Sequence, residues 1–379
     1  MLKLNVLTLG YFMLGLIVAI FGPLIPWFVA DFSLALSVAG RVFLFVGIGR
    51  ILTSVYLGIA GGRFVDQKIV NLGTWVMGIP CLITFLVPSF SLALITAFFW
   101  GAGFSFVESG LNSLVARLNQ GNSGSALNKM QMFFGIGALS GPLLTSSLSS
   151  VFHWRFVYLA IFLLFMVFRL WFKTLTLPAF EGTKQSKPVA RNNLLANHVF
   201  ILLATLILLY LGMETIVGGW LNTYWNVRFA GNEMIATIVL TGFWVALTFG
   251  RLVSSWLLQY ISRQNLLQIM SGLLAVFFGL LHISSVPVIS GVIITIIGLL
   301  AATVIPSVTS LALDNFPGQA VPVSGYLSAA AGIGMMLGPW GSGLIMDFTS
   351  VMAFPFLGLL IALGFSLIVF KVRRQMPTR

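Results

Sequence analysis

Apolar runs of about 20 residues recur along the whole of this 379-residue chain, and no other feature restricts its fold as much. A helix rises about 1.5 Å per residue, so each run is long enough to cross a hydrocarbon layer of ~30 Å. Charged residues make up 7% of the sequence, against roughly 25% in a soluble domain, so lipid is the solvent for most of the chain. In lipid every backbone N–H and C=O must be bonded internally, which leaves helices or closed barrels. Barrel strands alternate apolar and polar residues, and stretches such as Val157 to Phe168 and Val292 to Val304 show no such alternation. Helices are expected, with Gly and Pro tolerated inside them because neighbouring helices satisfy the backbone.

Gly, Pro and charge punctuation place spans 1 to 12 near residues 5–28, 40–62, 70–88, 91–116, 127–150, 154–172, 198–224, 234–260, 264–284, 286–312, 322–346 and 350–371. The longest non-apolar stretch, Lys173 to Asn193, falls at the midpoint and carries four basic residues. The expected organisation is a six-helix bundle over 1–172, a cytoplasmic linker over 173–196 and a second six-helix bundle over 197–379. Basic loops are retained in the cytoplasm. With both termini inside, that side holds Lys3, Arg63, Lys68, Arg117, Lys129, Arg169, Lys173, Lys184, Lys187, Arg191, Arg263, Lys371, Arg373, Arg374 and Arg379, fifteen of the twenty. Arg41, Arg155 and Arg228 fall outside, and Arg50 and Arg251 within spans. The expected location is the plasma (inner) membrane, as a monomer.

An internal repeat fixes the architecture further. Gly49-Arg50-Ile51-Leu52-Thr53-Ser54 in span 2 reads like Gly250-Arg251-Leu252-Val253-Ser254-Ser255 in span 8. Gly135-Ile136-Gly137 through Gly141-Pro142 in span 5 matches Gly332-Ile333-Gly334 through Gly338-Pro339 in span 11, at nearly the same displacement. A weaker match pairs Ser113-Leu114 with Ser310-Leu311. Displacement by six spans, an even number, makes the halves parallel repeats about an axis along the membrane normal, an arrangement of transporters that rock two halves about a central site. Gly-xxx-Gly is also ordinary helix-packing chemistry. Both readings treat Gly141, Pro142, Gly338, Pro339 and Arg251 as structural.

Other classes fall away. The formal charge of +12 suggests nucleic acid only on a soluble domain with a basic face, and none is legible. The single Cys81 lies in an apolar run and excludes a disulfide framework. His153, His198 and His282 lie on different segments without metal-ligand spacing. Gly58 to Gly62 is Gly-rich but lacks the Lys-Ser/Thr of a phosphate loop. No enzyme, cofactor or metal is implied. The first apolar run lacks a small-residue cleavage site and reads as span 1 rather than a signal peptide.

Several motifs resemble the major facilitator superfamily over essentially the full length. Gly62-Arg63-Phe64-Val65-Asp66-Gln67-Lys68, after span 2, looks like that superfamily's cytoplasmic loop motif. The resemblance implies that Gly62 lets helices approach and that Asp66 caps and charge-pairs the gate. The usual Gly-Arg-Arg that follows is replaced by Ile69-Val70-Asn71. Within the superfamily the chain is most similar to the fucose permease group of proton-coupled sugar symporters. The stretch Gly101 to Asn112 resembles its helix 4, where an acid and a following Asn face the cavity. Ala126 to Pro142, Tyr210 to Glu214 with Gly218-Gly219-Trp220 and Tyr224, and Phe243-Trp244 with Gly250-Arg251 resemble helices 5, 7 and 8. That group also carries an acid in helix 1, and span 1 here has none. The resemblance therefore implies proton coupling through Glu108 alone or with Glu214.

Charged groups at membrane depth cost roughly 2.5 to 3.5 kcal/mol each on insertion scales, so those kept there point to function. Arg50 and Glu108 lie at a shared depth in one bundle, and a pair between them is expected, as a proton site or as a structural lock between spans 2 and 4. Glu214 lies near Gly212, Gly218 and Gly219, where a helix can bend in gating. Asn112, Gln131 and Asn222 are candidates to bind a substrate, or to bond a facing helix. Trp220, Trp244 and Trp340 are candidates to stack on a sugar face, or belong to packing and interfacial belts. In the repeat, Glu108 and Asn112 stand opposite Ile305 and Thr309. The reading that results is alternating-access, proton-coupled uptake of a small polar solute such as a monosaccharide. Export of drugs or lipid-like amphiphiles is the alternative, which the aromatic content of 13% would suit.

Overall fold

The computed structural model describes residues 2–60, 66–86, 89–118, 123–174, 194–230, 233–258, 260–316 and 320–375. Among them are twelve helical segments long and apolar enough to cross a membrane. The helices are α1 (Leu2–Phe32), α2 (Leu36–Ala60), α3 (Asp66–Leu86), α4 (Phe90–Leu118), α5 (Ser123–Val151) and α6 (Phe156–Lys173). After them come α7 (His198–Phe229), α8 (Glu233–Leu257), α9 (Arg263–Ile283), α10 (Pro287–Ala301), α11 (Val304–Asn315), α12 (Ala320–Phe348) and α13 (Phe354–Gln375). The chain is an all-α membrane protein.

Local chemistry explains where these helices begin and break. Asn197 caps α7 by accepting the N–H of Phe200 at 3.2 Å, and α10 opens on Pro287, whose fixed φ suits a first turn. The sequence predicts one span over 286–312, and the structure divides it into α10 and α11 at Ala302 and Thr303. Pro306 is the cause: it has no N–H for the carbonyl of Ala302, and its ring crowds that carbonyl. The Thr303 hydroxyl bonds the Leu300 carbonyl at 3.1 Å at the break.

The chain divides into two compact units, Met1–Leu34 with Arg41–Pro188, and Ala35–Gly40 with Val189–Arg379. In the first, α1 runs along α5 and α3 along α4; in the second, α7 runs along α12 and α8 along α10. The repeated glycines stand where these backbones meet. A Cβ on Gly137 would lie 1.8 Å from the Phe12 carbonyl oxygen, and one on its repeat mate Gly334 would lie 2.2 Å from that of Leu208. The glycines of the repeated Gly-Arg do the same for a second pair of helices: Gly49 would meet the Phe98 oxygen at 2.0 Å and Gly250 that of Leu299 at 2.7 Å. Lipid tails are as apolar as the helices, so close packing rather than hydrophobic burial holds such crossings. Gly141 and Gly338 sit in the same seams, 2.7 Å from the Leu16 oxygen and 2.6 Å from the Gly212 oxygen by the same measure.

Aromatic rings fill the first unit, with Trp100 edge-on to Phe21 at 4.7 Å and Trp154 against Phe28 at 4.8 Å. Cys81 is fully buried in α3 and accepts the Trp100 indole N–H at 2.8 Å. Arg169 in α6 donates to the carbonyl and the side-chain oxygen of Asn71 at 3.1 and 3.2 Å, with its guanidinium 4.5 Å over Trp75.

Candidate functional site

In the first unit the helix crossings bring six polar residues together. Arg50 stands ten residues before the end of α2 and Glu108 ten before the end of α4, about 15 Å of helix in each case. The crossing of Gly49 over Phe98 and of Gly101 over Val46 sets that common depth. Arg50 Nη2 reaches Glu108 Oε2 at 3.2 Å, so the pair expected between spans 2 and 4 forms. The Arg50 guanidinium also lies 4.1 Å over the ring of Phe104, one turn before Glu108. The hydroxyl of Ser105 donates to the Arg50 carbonyl at 3.1 Å and lies 3.2 Å from Ser54. One turn after Glu108, Asn112 accepts the hydroxyl of Tyr11 from α1.

The Glu108 side chain is 33% exposed and that of Arg50 20%. The Phe104 ring face gives Arg50 a second contact beside the ion pair, of about 0.5–2 kcal/mol.

The second unit holds a different cluster. Glu214, in the middle of α7, is buried and hydrogen-bonded to the Tyr210 hydroxyl one turn earlier, with the Arg251 guanidinium of α8 in electrostatic reach. Its Oε2 has no hydrogen-bond partner among the described residues. Residues 214, 218, 222 and 226 share one face of α7 at helical spacing. Asn222 is fully buried there and donates to Thr237 of α8 at 3.3 Å. The Asn222 and Asn226 side-chain oxygens, the Thr223 and Thr241 hydroxyls and the Trp244 indole nitrogen are buried without a partner among the described residues. The Trp244 ring packs on Gly218, where a Cβ would come within 3.3 Å of Cζ2.

The remaining candidates are placed as follows. Trp220 is fully buried with its indole N–H given to the Pro339 carbonyl at 2.9 Å, and it packs against Gly343. Its donor is thus used inside the unit. Trp340, the next residue of α12, is half-buried. Pro142 and Pro339 lie inside α5 and α12. Gly62 falls outside the described residues, as do the side chains of Asp66 and Gln131. Among the described residues no three His, Cys, Asp or Glu side chains gather as metal ligands.

Two tyrosines, Tyr11 and Tyr210, carry no role in the sequence pattern. Gly137 meets Phe12 and its repeat mate Gly334 meets Leu208, which sets Tyr11 opposite Ile207 rather than Tyr210, so laying the first spans of the two halves on each other does not find them. Residue type alone does not either, because membrane tyrosines are common at interfaces.

Residues 7–325 match the family model of the Major Facilitator Superfamily. The glucose/mannose transporter GlcP of Bacillus subtilis (strain 168) is 25% identical over 276 residues, 67% of this chain, and the chain spans 64% of that relative's length. The nucleoside transporter NupG has the same fold at a TM-score of 0.76 and 15% identity, with all of both chains covered. A D-xylose-proton symporter matches at 0.72 and 15% identity over 96% of each chain. FucP in its outward conformation matches at 0.67 and 18% identity over 99% of each.

Proposed function

Because this chain belongs to the Major Facilitator Superfamily, we propose that it takes up a small polar solute, a monosaccharide, together with a proton by alternating access. The observation that carries this reading is the Arg50–Glu108 pair with the Tyr11–Asn112 hydrogen bond one turn away. Charged groups at this depth are costly and a purely structural helix contact has no need of them. Glu108 takes the proton as solute binds, Arg50 moves its weight to the Phe104 ring, and Asn112 with Tyr11 bonds solute hydroxyls. Release follows when the acid faces the cytoplasm, with Arg50 beside it as countercharge.

The second unit holds polar groups of its own that suit a solute. Unpartnered buried polar atoms cost about 1–3 kcal/mol each, so a set kept on α7 and α8 has a use. Acceptors on Asn222 and Asn226, donors on Thr241 and Trp244, and the Trp244 ring together suit a polyhydroxylated ring. The names of relatives support the class: GlcP is a glucose/mannose transporter and one solved neighbour is a D-xylose-proton symporter. The Lys and Arg distribution supports cytoplasmic termini in a plasma-membrane protein.

The test is uptake of labelled D-glucose and D-mannose into proteoliposomes. An inward proton gradient should concentrate one of them, and in Glu108→Gln the accumulation should depend less steeply on the gradient than in wild type. A Glu108→Gln protein with the wild-type dependence on the gradient would sink the assignment of Glu108. Expulsion of a lipophilic dye with no movement of hexose would favour an exporter.

A further inference from the structure

We propose that Glu214 is a second proton-exchange site, built wholly inside the second unit, so that two protons accompany each solute. The two-proton count rests on the transport reading above; the site itself rests on what surrounds the carboxyl.

Glu214 lies sixteen residues after His198 and fifteen before Phe229, the middle of α7. A permanent charge at such a depth is expensive, and a buried carboxylate kept for structure has both oxygens bonded. Here one oxygen is not: Oε2 has no partner among the described residues. A neutral carboxyl asks for fewer bonds, and the hydroxyl bonded to it suits both charge states. Tyr210 both donates and accepts, so it can give its proton to the carboxylate or turn to receive the acid's. The countercharge for the ionised form is Arg251, the repeat mate of Arg50.

The repeat strengthens the case. Each unit has one Arg from the repeated Gly-Arg, one Tyr from its first helix and one acid in reach of that Arg, yet the acids occupy unrelated positions. Glu108 stands opposite Ile305, and Glu214 opposite Val18, because the repeat mates Gly137 and Gly334 meet Phe12 and Leu208. A leftover of duplication would keep the acid at one equivalent position in both halves. What is kept instead is the set of three groups, assembled from different helices.

Among the described residues of the second unit, the ionisable groups acting on Glu214 are Tyr210 on its own helix and Arg251 on α8. Of the other helices packed on α7, α10 has none. Those of α11, α12 and α13 lie toward their ends: Asp314, Tyr326, Asp347, Lys371, Arg373 and Arg374. The step is one proton added to the unpartnered oxygen and later released from it; no electrons move.

Infrared difference spectra between high and low pH, on the full-length protein in lipid nanodiscs without solute, count the carboxyls that exchange protons. The C=O band of a protonated acid should disappear in Glu214→Gln, persist in Glu108→Gln, and shift in frequency without loss in Tyr210→Phe. The last variant keeps the acid and covers the case in which Glu214→Gln fails to fold. A Glu214→Gln spectrum equal to wild type, or a Tyr210→Phe band that does not move, would overturn the site. The count is read from the glucose gradient that just balances a pH gradient at zero membrane potential. It should rise about 100-fold per pH unit in wild type and about tenfold in Glu214→Gln. A tenfold slope in wild type overturns two protons. Glucose flux indifferent to pH overturns the symport reading and the count together, and loss of the infrared band in Glu214→Gln still assigns the proton site.

Discussion

Replacing Gly137 by Ala asks whether the repeated glycines set how deeply α1 and α5 engage. The new Cβ would stand 1.8 Å from the Phe12 carbonyl oxygen, where ordinary contact begins at 3.4 Å. The obstacle is backbone, which cannot rotate aside as a side chain does, so the helices must part by roughly 1.5 Å along that line. A gap of even 0.5–1 Å forfeits about a quarter to a half of a dispersion contact, and in lipid no hydrophobic gain offsets the loss. Overpacking costs about 1–3 kcal/mol, and a backbone clash belongs at the upper end. About 3 kcal/mol is on the order of 100-fold in the ratio of folded to unfolded protein. Gly272→Ala in α9 is the control, since a Cβ there meets nothing within 4 Å. It should leave stability unchanged or raise it by up to about 1 kcal/mol. Thermal melting of purified protein, followed by tryptophan fluorescence and size exclusion, separates the two. Tyr11 adjoins Phe12, so Gly137→Ala should also weaken solute binding. A Gly137→Ala protein that melts with wild type, or no lower than Gly272→Ala, refutes the reasoning.

Tyr11→Phe removes the donor to Asn112 and should raise the hexose KM about tenfold, in line with ~1–3 kcal/mol for an acceptor left unpaired; unchanged uptake kinetics would contradict this. Thr241→Val removes a buried hydroxyl that has no partner among the described residues, so melting should hold or improve by about 1 kcal/mol while hexose affinity falls. A drop in melting temperature would mean that the hydroxyl is already bonded. Arg169→Lys loses the planar stack over Trp75 and retracts the nitrogen that bonds both Asn71 oxygens, and should destabilise the first unit by about 1–3 kcal/mol in the same assay. The Arg263–Asp314 pair is exposed on both sides, so Asp314→Asn should cost under about 1 kcal/mol and nothing in high salt.

The sequence by itself determined the solvent, the secondary structure and the number of spans, because a bilayer leaves few choices: continuous apolar runs of this length must be helices. It also located the repeat, and the structure sets its glycines at backbone crossings, Gly137 on Phe12 and Gly334 on Leu208. Arg50 and Glu108 could be paired in advance from their equal depth. Tertiary structure alone decided what one-dimensional spacing does not encode. It put Tyr11 on Asn112 and Phe104 under Arg50, contacts between helices whose rotation about their own axes is set by packing. It broke the tenth span at Ala302, where a proline that lipid-buried helices often tolerate was not accommodated. It spent the indole donor of Trp220 on the Pro339 carbonyl while leaving that of Trp244 without a partner among the described residues. In one dimension the two tryptophans look alike, each inside an apolar span, and only the neighbouring helix, by supplying or withholding an acceptor, separates them.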